Sequence, residues 1–222
     1  MKDKTAKRLK EKRRAERQAE RDREVQAIVD NLNSHTKEHG VKKKYKNADV
    51  YRICKQLSYE LTVETTMYCL LVTMYRLHCE YGWGRIRLMR YADRVHRILV
   101  AVGNDERSID KLMEEVKDET GIDIMAVFNG YKPFGGVKQT DEKKQRMVCV
   151  LERVPVWLTV CMYVLYYYYG YKHKRISRMV DNVKAELIPA IEGGTVMQYI
   201  DRIREECRLD IQMNGIIQPV RR

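Results

Sequence analysis

The chain contains itself twice. Shifting residues 63–124 by 88 positions places Glu64, Leu70, Val72, Met74, Tyr75 and Leu77 on Glu152, Leu158, Val160, Met162, Tyr163 and Leu165. The same shift puts Tyr81-Gly82 on Tyr169-Gly170, Arg87 and Arg90 on Arg175 and Arg178, and Asp93 and Val95 on Asp181 and Val183. After one deletion, Ile122-Asp123-Ile124 meets Leu209-Asp210-Ile211. Solenoid units run roughly 20–50 residues, so a period this long reads as two copies of one small module. Modules of this size bury only a modest core, so the two are expected to pack on each other. Positions kept in both copies are expected to build the fold, and positions that differ are where function specialises.

Each copy reads as three helices. In copy one they cover about 48–80, 85–102 and a segment starting at Ser108; in copy two, about 155–169, 173–190 and a segment starting at Thr195. Pro155 suits a first helical position, where its missing N–H costs nothing. Gly82 and Gly170 close the first helices as left-handed C′ residues. Leu88, Ala92, Val95, Leu99 and Val102 fall on one buried stripe of the second helix, and Ile176, Val180, Val183, Leu187 and Ala190 repeat it. Ser108 and Thr195 are hydroxyl N-caps, and Gln198 completes a capping box with Thr195. Residues 1–29 alternate basic and acidic side chains, as an exposed helix held by charge pairs does. The expected fold is all-α: two tandem duplicated three-helix modules (48–128 and 146–222) packed together, joined by a linker at 129–145 and preceded by a charged arm and linker at 1–47.

Residues 154–171 carry no charge. A membrane-spanning helix needs about 20 apolar residues. This run is shorter and rich in tyrosine, and its counterpart at 66–83 holds Arg76, His78 and Glu80. It is expected to be a buried core helix, with no membrane contact. The six cysteines show no C-x-x-C pair and read as reduced, buried thiols of a cytoplasmic protein. Residues 1–24 are charged almost throughout and lack the apolar centre of a signal peptide.

A net charge of +12 favours anionic partners: nucleic acid, an acidic protein surface or anionic lipid. On the second helix of copy one, Arg87, Arg90, Arg94 and Arg97 form a stripe roughly opposite the apolar one, with Arg85 nearby. The planar guanidinium binds two phosphate oxygens and keeps its charge. Copy two keeps Arg175 and Arg178 but then carries Asn182 and Ala185, so copy one presents the more basic face. The arm adds Arg8, Arg13, Arg14 and Arg17, and its linker adds Lys42, Lys43 and Lys44. Tyr166, Tyr167, Tyr168, Tyr169 and Tyr171 stand beside Lys172, Lys174 and Arg175; their rings either stack bases, anchor a protein partner or pack between the modules.

Catalytic and metal patterns do not assemble. His35 and His39 have helical metal-ligand spacing but no accompanying ligand set. His78 and Cys79 are adjacent, so they point to different sides of a helix. Tyr81-Gly82-Trp83-Gly84 follows a helix and lacks a Gly-Lys-Ser/Thr ending, so it is a turn and not a phosphate loop. Asp93 and Asp181 sit beside the arginines and are expected to orient them. No cofactor, metal or catalytic set is expected.

The segment Tyr81-Gly82-Trp83-Gly84-Arg85-Ile86-Arg87-Leu88, then Asp93, then Lys117-Asp118-Glu119-Thr120-Gly121-Ile122-Asp123 closing a third helix, resembles a group of small helical proteins encoded by phages and prophages of Gram-positive bacteria. Each of those is similar to one module. Copy two departs at Lys172 and Arg208, where the group has glycine. The resemblance implies a mobile-element origin and action in a bacterial host cell. It implies partners in replication, packaging or transcription, or a defence complex inhibited as an anti-CRISPR protein does. The functional expectation is a non-enzymatic protein that engages nucleic acid or a nucleoprotein complex through the arm and the arginine stripe. The alternative is a protein-targeted inhibitor or assembly factor docking on an acidic patch.

Overall fold

The computed structural model describes residues 47–104, 106–137, 140–211 and 217–220, with Ala19 and Arg23. Of the arm and its linker, Arg8, Arg13, Arg14, Arg17, His35, His39, Lys42, Lys43 and Lys44 lie outside the described residues. The chain divides into two compact units, Met1–Glu60 and Leu61–Arg222. In the first, Gln56 Nε2 donates to Glu60 Oε1 at 3.2 Å along a helical turn. Both repeat-bearing segments from Leu61 onward fall in the second.

The fold is all-α. The described helices are α1 (Asn47–Tyr81), α2 (Arg85–Gly103), α3 (Ile109–Thr120), α4 (Ile124–Val127), α5 (Glu142–Tyr169), α6 (His173–Glu192) and α7 (Gln198–Cys207). A 3₁₀ turn spans Pro133–Gly136. Helix α5 is the hub: α2, α3, α4 and α6 all pack against it. That explains the charge-free stretch 154–169, since Leu158 to Leu165 is buried on every side. Among the described residues α5 alone is long and apolar enough to cross a membrane, and 67% of its most apolar window is buried inside the protein.

Three local expectations are corrected. Pro155 does not start a helix: α5 begins at Glu142, where the Asp141 carboxylate accepts from the Lys144 N–H at 2.9 Å. The proline removes only the bond to the Leu151 carbonyl, and buried Val150, Leu151 and Val154 carry the helix through it. The expected linker at 129–145 therefore ends four residues early. Second, Thr195 does not cap α7, which starts at Gln198; its hydroxyl donates back to the Ala190 carbonyl at 3.4 Å. Third, the chain ends in a small antiparallel ribbon, β1 (Leu209–Ile211) with β2 (Ile217–Pro219), Leu209 opposite Pro219. The aligned Ile122-Asp123-Ile124 instead enters α4, where Asp123 accepts from the Ala126 N–H at 3.0 Å. Asp210 is held by Arg204 at 2.7 Å, so it is not available as a cap.

Other aligned positions do the same work. Gly82 and Gly170 both adopt left-handed backbone, at φ +61° and +66°. Gly82 N–H donates to His78 and Trp83 N–H to Leu77; Gly170 N–H donates to Tyr166 and Tyr171 N–H to Leu165. These are the same two closing bonds, 88 residues apart. The stripe of α6 is buried at Ile176, Val180, Val183, Leu187 and Ala190. On α2, Leu88, Ala92 and Val95 are buried, Leu99 and Val102 are half-buried, and Tyr91 and Ile98 complete the core.

Contacts also exchange between the segments. Asn182 on α6 donates to Glu80 on α1 at 2.7 Å, while Arg94 on α2 lies 4.6 Å over the Tyr168 ring on α5. Positions 94 and 182 align, as do 80 and 168. Cys161 on α5 lies against the hydroxyl of Thr73 on α1, its own counterpart. These contacts join aligned positions in both directions.

Candidate nucleic-acid interface

The site forms where α1 and α5 end and α2 and α6 begin. The two glycine turns bring the aromatic residues that follow them together: Trp83 and Tyr171 lie 6.1 Å apart between ring centroids. Tyr169 adds a ring at 4.7 Å from Trp83, and Tyr91 one at 6.0 Å. Trp83, Tyr91 and Tyr171 are buried, so this cluster fixes the starts of both helices.

Guanidinium groups lie over the rings. Arg87 sits 4.1 Å over Trp83, and its counterpart Arg175 sits 5.3 Å over Tyr171. Arg94 lies over Tyr168 and, at 4.9 Å, over Tyr169. Burial raises the Tyr169 hydroxyl above its ordinary value, against the pull of Arg94, Arg87 and Arg90, which all act on it. The arginine stripe and the tyrosine run, far apart in sequence, are therefore one surface. An aromatic face orients a guanidinium without cancelling its charge, which leaves the N–H fork available for phosphate oxygens.

Two rings remain open. Tyr167 is 58% exposed and Tyr168 43%. Tyr167 is stacked on Tyr163 at 5.5 Å with 14° between planes. Tyr163 in turn lies 5.0 Å under Arg107. Tyr167 and Tyr168 meet edge to face, 4.9 Å apart and 75° between planes.

The remaining arginines and lysines divide. Arg97 is tied to Asp93 at 3.0 Å, as expected of that carboxylate. Arg85, Arg90 and Lys174 are exposed and form no ion pair with a described carboxylate. Lys172 covers Tyr166 at 4.9 Å. Arg178 is bound to Glu80 at 3.3 Å, the carboxylate that also holds Arg76 at 2.7 Å and accepts from Asn182. Arg178 is thus paired with a carboxylate where the aligned Arg90 is not. The exposed Asp181 forms no ion pair with a described cation.

Sequence reasoning missed Trp83 and Arg107 as site residues and gave Glu80 no role there. Aligning position 80 with position 168, a carboxylate against a phenol ring, carries that signal.

The His78–Cys79 pair stays apart: His78 Nδ1 bonds the Trp83 carbonyl at 3.0 Å and Nε2 lies 3.6 Å from Glu206. Of the described cysteines, Cys69, Cys161 and Cys207 are buried, Cys149 is half-buried and Cys79 is exposed, against the expectation of uniformly buried thiols; none forms a disulfide. Burial pushes the Cys161 thiol up to about 12 and the Cys207 thiol up to about 11, which keeps both protonated. No protein-family model, curated protein or solved structure matches the chain.

Proposed function

We propose that this is a non-enzymatic binding protein of phage or mobile-element origin. It engages nucleic acid, or a nucleoprotein complex, in the bacterial cytoplasm. The contact surface is Arg87, Arg90 and Arg94 with the tyrosines at the end of α5; Arg85, Lys172, Lys174 and Arg175 extend it, and the arm residues add charge. The observation that carries this reading is Arg94 lying over Tyr168 and Tyr169 while Arg87 lies over Trp83. These groups are permanent cations and flat rings, which hold a polyanion. The reading includes a duplicated module, supported by the shared turn geometry and the reciprocal contacts described above.

A second reading, a protein-targeted inhibitor or assembly factor, draws support from Ile86 and Val100. They are 62% and 46% exposed on α2 and bracket Arg90, Asp93 and Arg97 along one line of the helix. Exposed apolar residues among arginines also suit a protein interface.

Salt separates the two. Mobility shift of duplex DNA, single-stranded DNA and RNA across a salt series should show steep loss, and R87E/R90E/R94E should abolish binding while circular dichroism stays native. Binding that R87E/R90E/R94E leaves intact would reduce the stripe to a solvated face.

A further inference from the structure

We infer that the ligand of this face is single-stranded nucleic acid, with one base stacked on Tyr167 and one on Tyr168. The inference rests on reading α2 as a polyanion-binding surface and adds the state of the strand.

Both rings are exposed, and each has one face held in place. Tyr163 backs Tyr167 in a parallel stack, and Arg94 covers Tyr168. A ring fixed in advance loses little freedom when a base settles on it. Every base has a flat face, so such platforms bind strands with little sequence preference. In a duplex those faces are already occupied by neighbouring base pairs. The angle between the platforms excludes a continuous stack as well. With 75° between ring planes, bases on Tyr167 and Tyr168 must turn away from each other. A single strand can make that turn at a backbone linkage, and an intact helical duplex cannot. Arg87, Arg90 and Arg94 lie along the same edge as phosphate partners, with Arg107 behind the Tyr163–Tyr167 stack.

The test is fluorescence anisotropy with labelled oligothymidylate, the matching oligouridylate and a DNA duplex of equal length. Parent, Y167A/Y168A, Y167F/Y168F and R87E/R90E/R94E are compared, with melting curves for each. Y167A, which removes the more exposed ring alone, stands in if the double variant melts early. The inference predicts that Y167A/Y168A weakens single-strand binding on the order of 10-fold or more. Duplex binding should stay within about 2-fold, because phosphate contacts persist. Y167F/Y168F should bind like the parent, since phenylalanine keeps the ring. Unchanged single-strand affinity in Y167A/Y168A, or an equal loss on single strand and duplex, overturns the stacking inference alone. R87E/R90E/R94E binding as tightly as the parent overturns the polyanion face beneath it. A parent protein that ignores all three oligonucleotides yet binds polyglutamate overturns both in favour of an acidic protein partner.

Discussion

Helices α2 and α6 begin alike and end differently. Each follows a left-handed glycine and an aromatic residue, and each lays an arginine over that ring: Arg87 on Trp83, Arg175 on Tyr171. Three residues later they part. Arg94 lies over Tyr168 and Tyr169 of α5 and Arg90 is exposed, whereas Arg178 and Asn182 are bound to Glu80 of α1. One aligned position accounts for the difference. Where the end of α5 offers the ring of Tyr168, the end of α1 offers the carboxylate of Glu80. A ring leaves a guanidinium charged toward solvent; a carboxylate of which only 10% is exposed consumes it. The difference between the halves therefore lies less in how many arginines each keeps than in what stands beneath them.

The largest expected effect concerns the cores. Leu187 is fully buried and Leu99, its counterpart, is half-buried. Leu187→Ala should cost about 2–5 kcal/mol in thermal or denaturant unfolding, and Leu99→Ala clearly less, because less surface leaves the core. Equal costs would mean that the two stripes are packed alike and that the halves differ only at the surface.

Next comes the exchange of chemistry itself. Y168E places a carboxylate under Arg94 and should pair with it as Glu80 pairs with Arg178. Affinity for a single strand should fall below that of Y168A by about a further 10-fold, the loss of a charge contact added to that of a stacking ring. If Y168E and Y168A bind alike, charge neutralisation is not what separates the halves.

The smallest effect tests the turns. Gly121 and Arg208 occupy aligned positions and both are left-handed, at φ +70° and +56°. Glycine adopts that conformation without strain and arginine does not, so Arg208→Gly should raise stability by about 1 kcal/mol. At position 172, by contrast, Lys172 and its counterpart Gly84 both have ordinary extended backbone, at φ −106° and −82°. Lys172→Gly should bring no such gain. A gain from Lys172→Gly as large as that from Arg208→Gly would show that left-handed turn geometry does not set the difference between the two sites.

Much of the fold was legible because it rests on local rules. Gly82 and Gly170 mark helix ends through backbone conformation, and the stripe of α6 follows helical spacing residue by residue. The misreadings share a cause. Pro155 looked like a start because the burial of Val150 and Leu151 against other helices, which outweighs one lost backbone bond, is not written in their own neighbourhood. Thr195 lost its capping role to the Ala190 carbonyl, and Leu209–Ile211 pairs as β1 with Asp210 on Arg204, whereas the counterpart Asp123 caps α4. At the site, the arginine stripe was visible on one helix. Its partners were not, because Tyr167, Tyr168 and Tyr169 reach it only through the way α5 packs on α2. The role of Glu80 was hidden for the same reason.

The central claim is that Arg87, Arg90 and Arg94 meet the polyanion while Arg178, paired with Glu80, does not. The most direct measurement is the salt dependence of oligothymidylate affinity for the parent, R87A/R90A/R94A and R175A/R178A. Each phosphate contact to a single strand contributes about 0.7 to the slope of log affinity against log salt. R87A/R90A/R94A should therefore flatten that slope by about 2 units. R175A/R178A should change it by less than half as much, the residue coming from Arg175. Equal flattening by the two variants, or a slope that neither alters, would contradict the account.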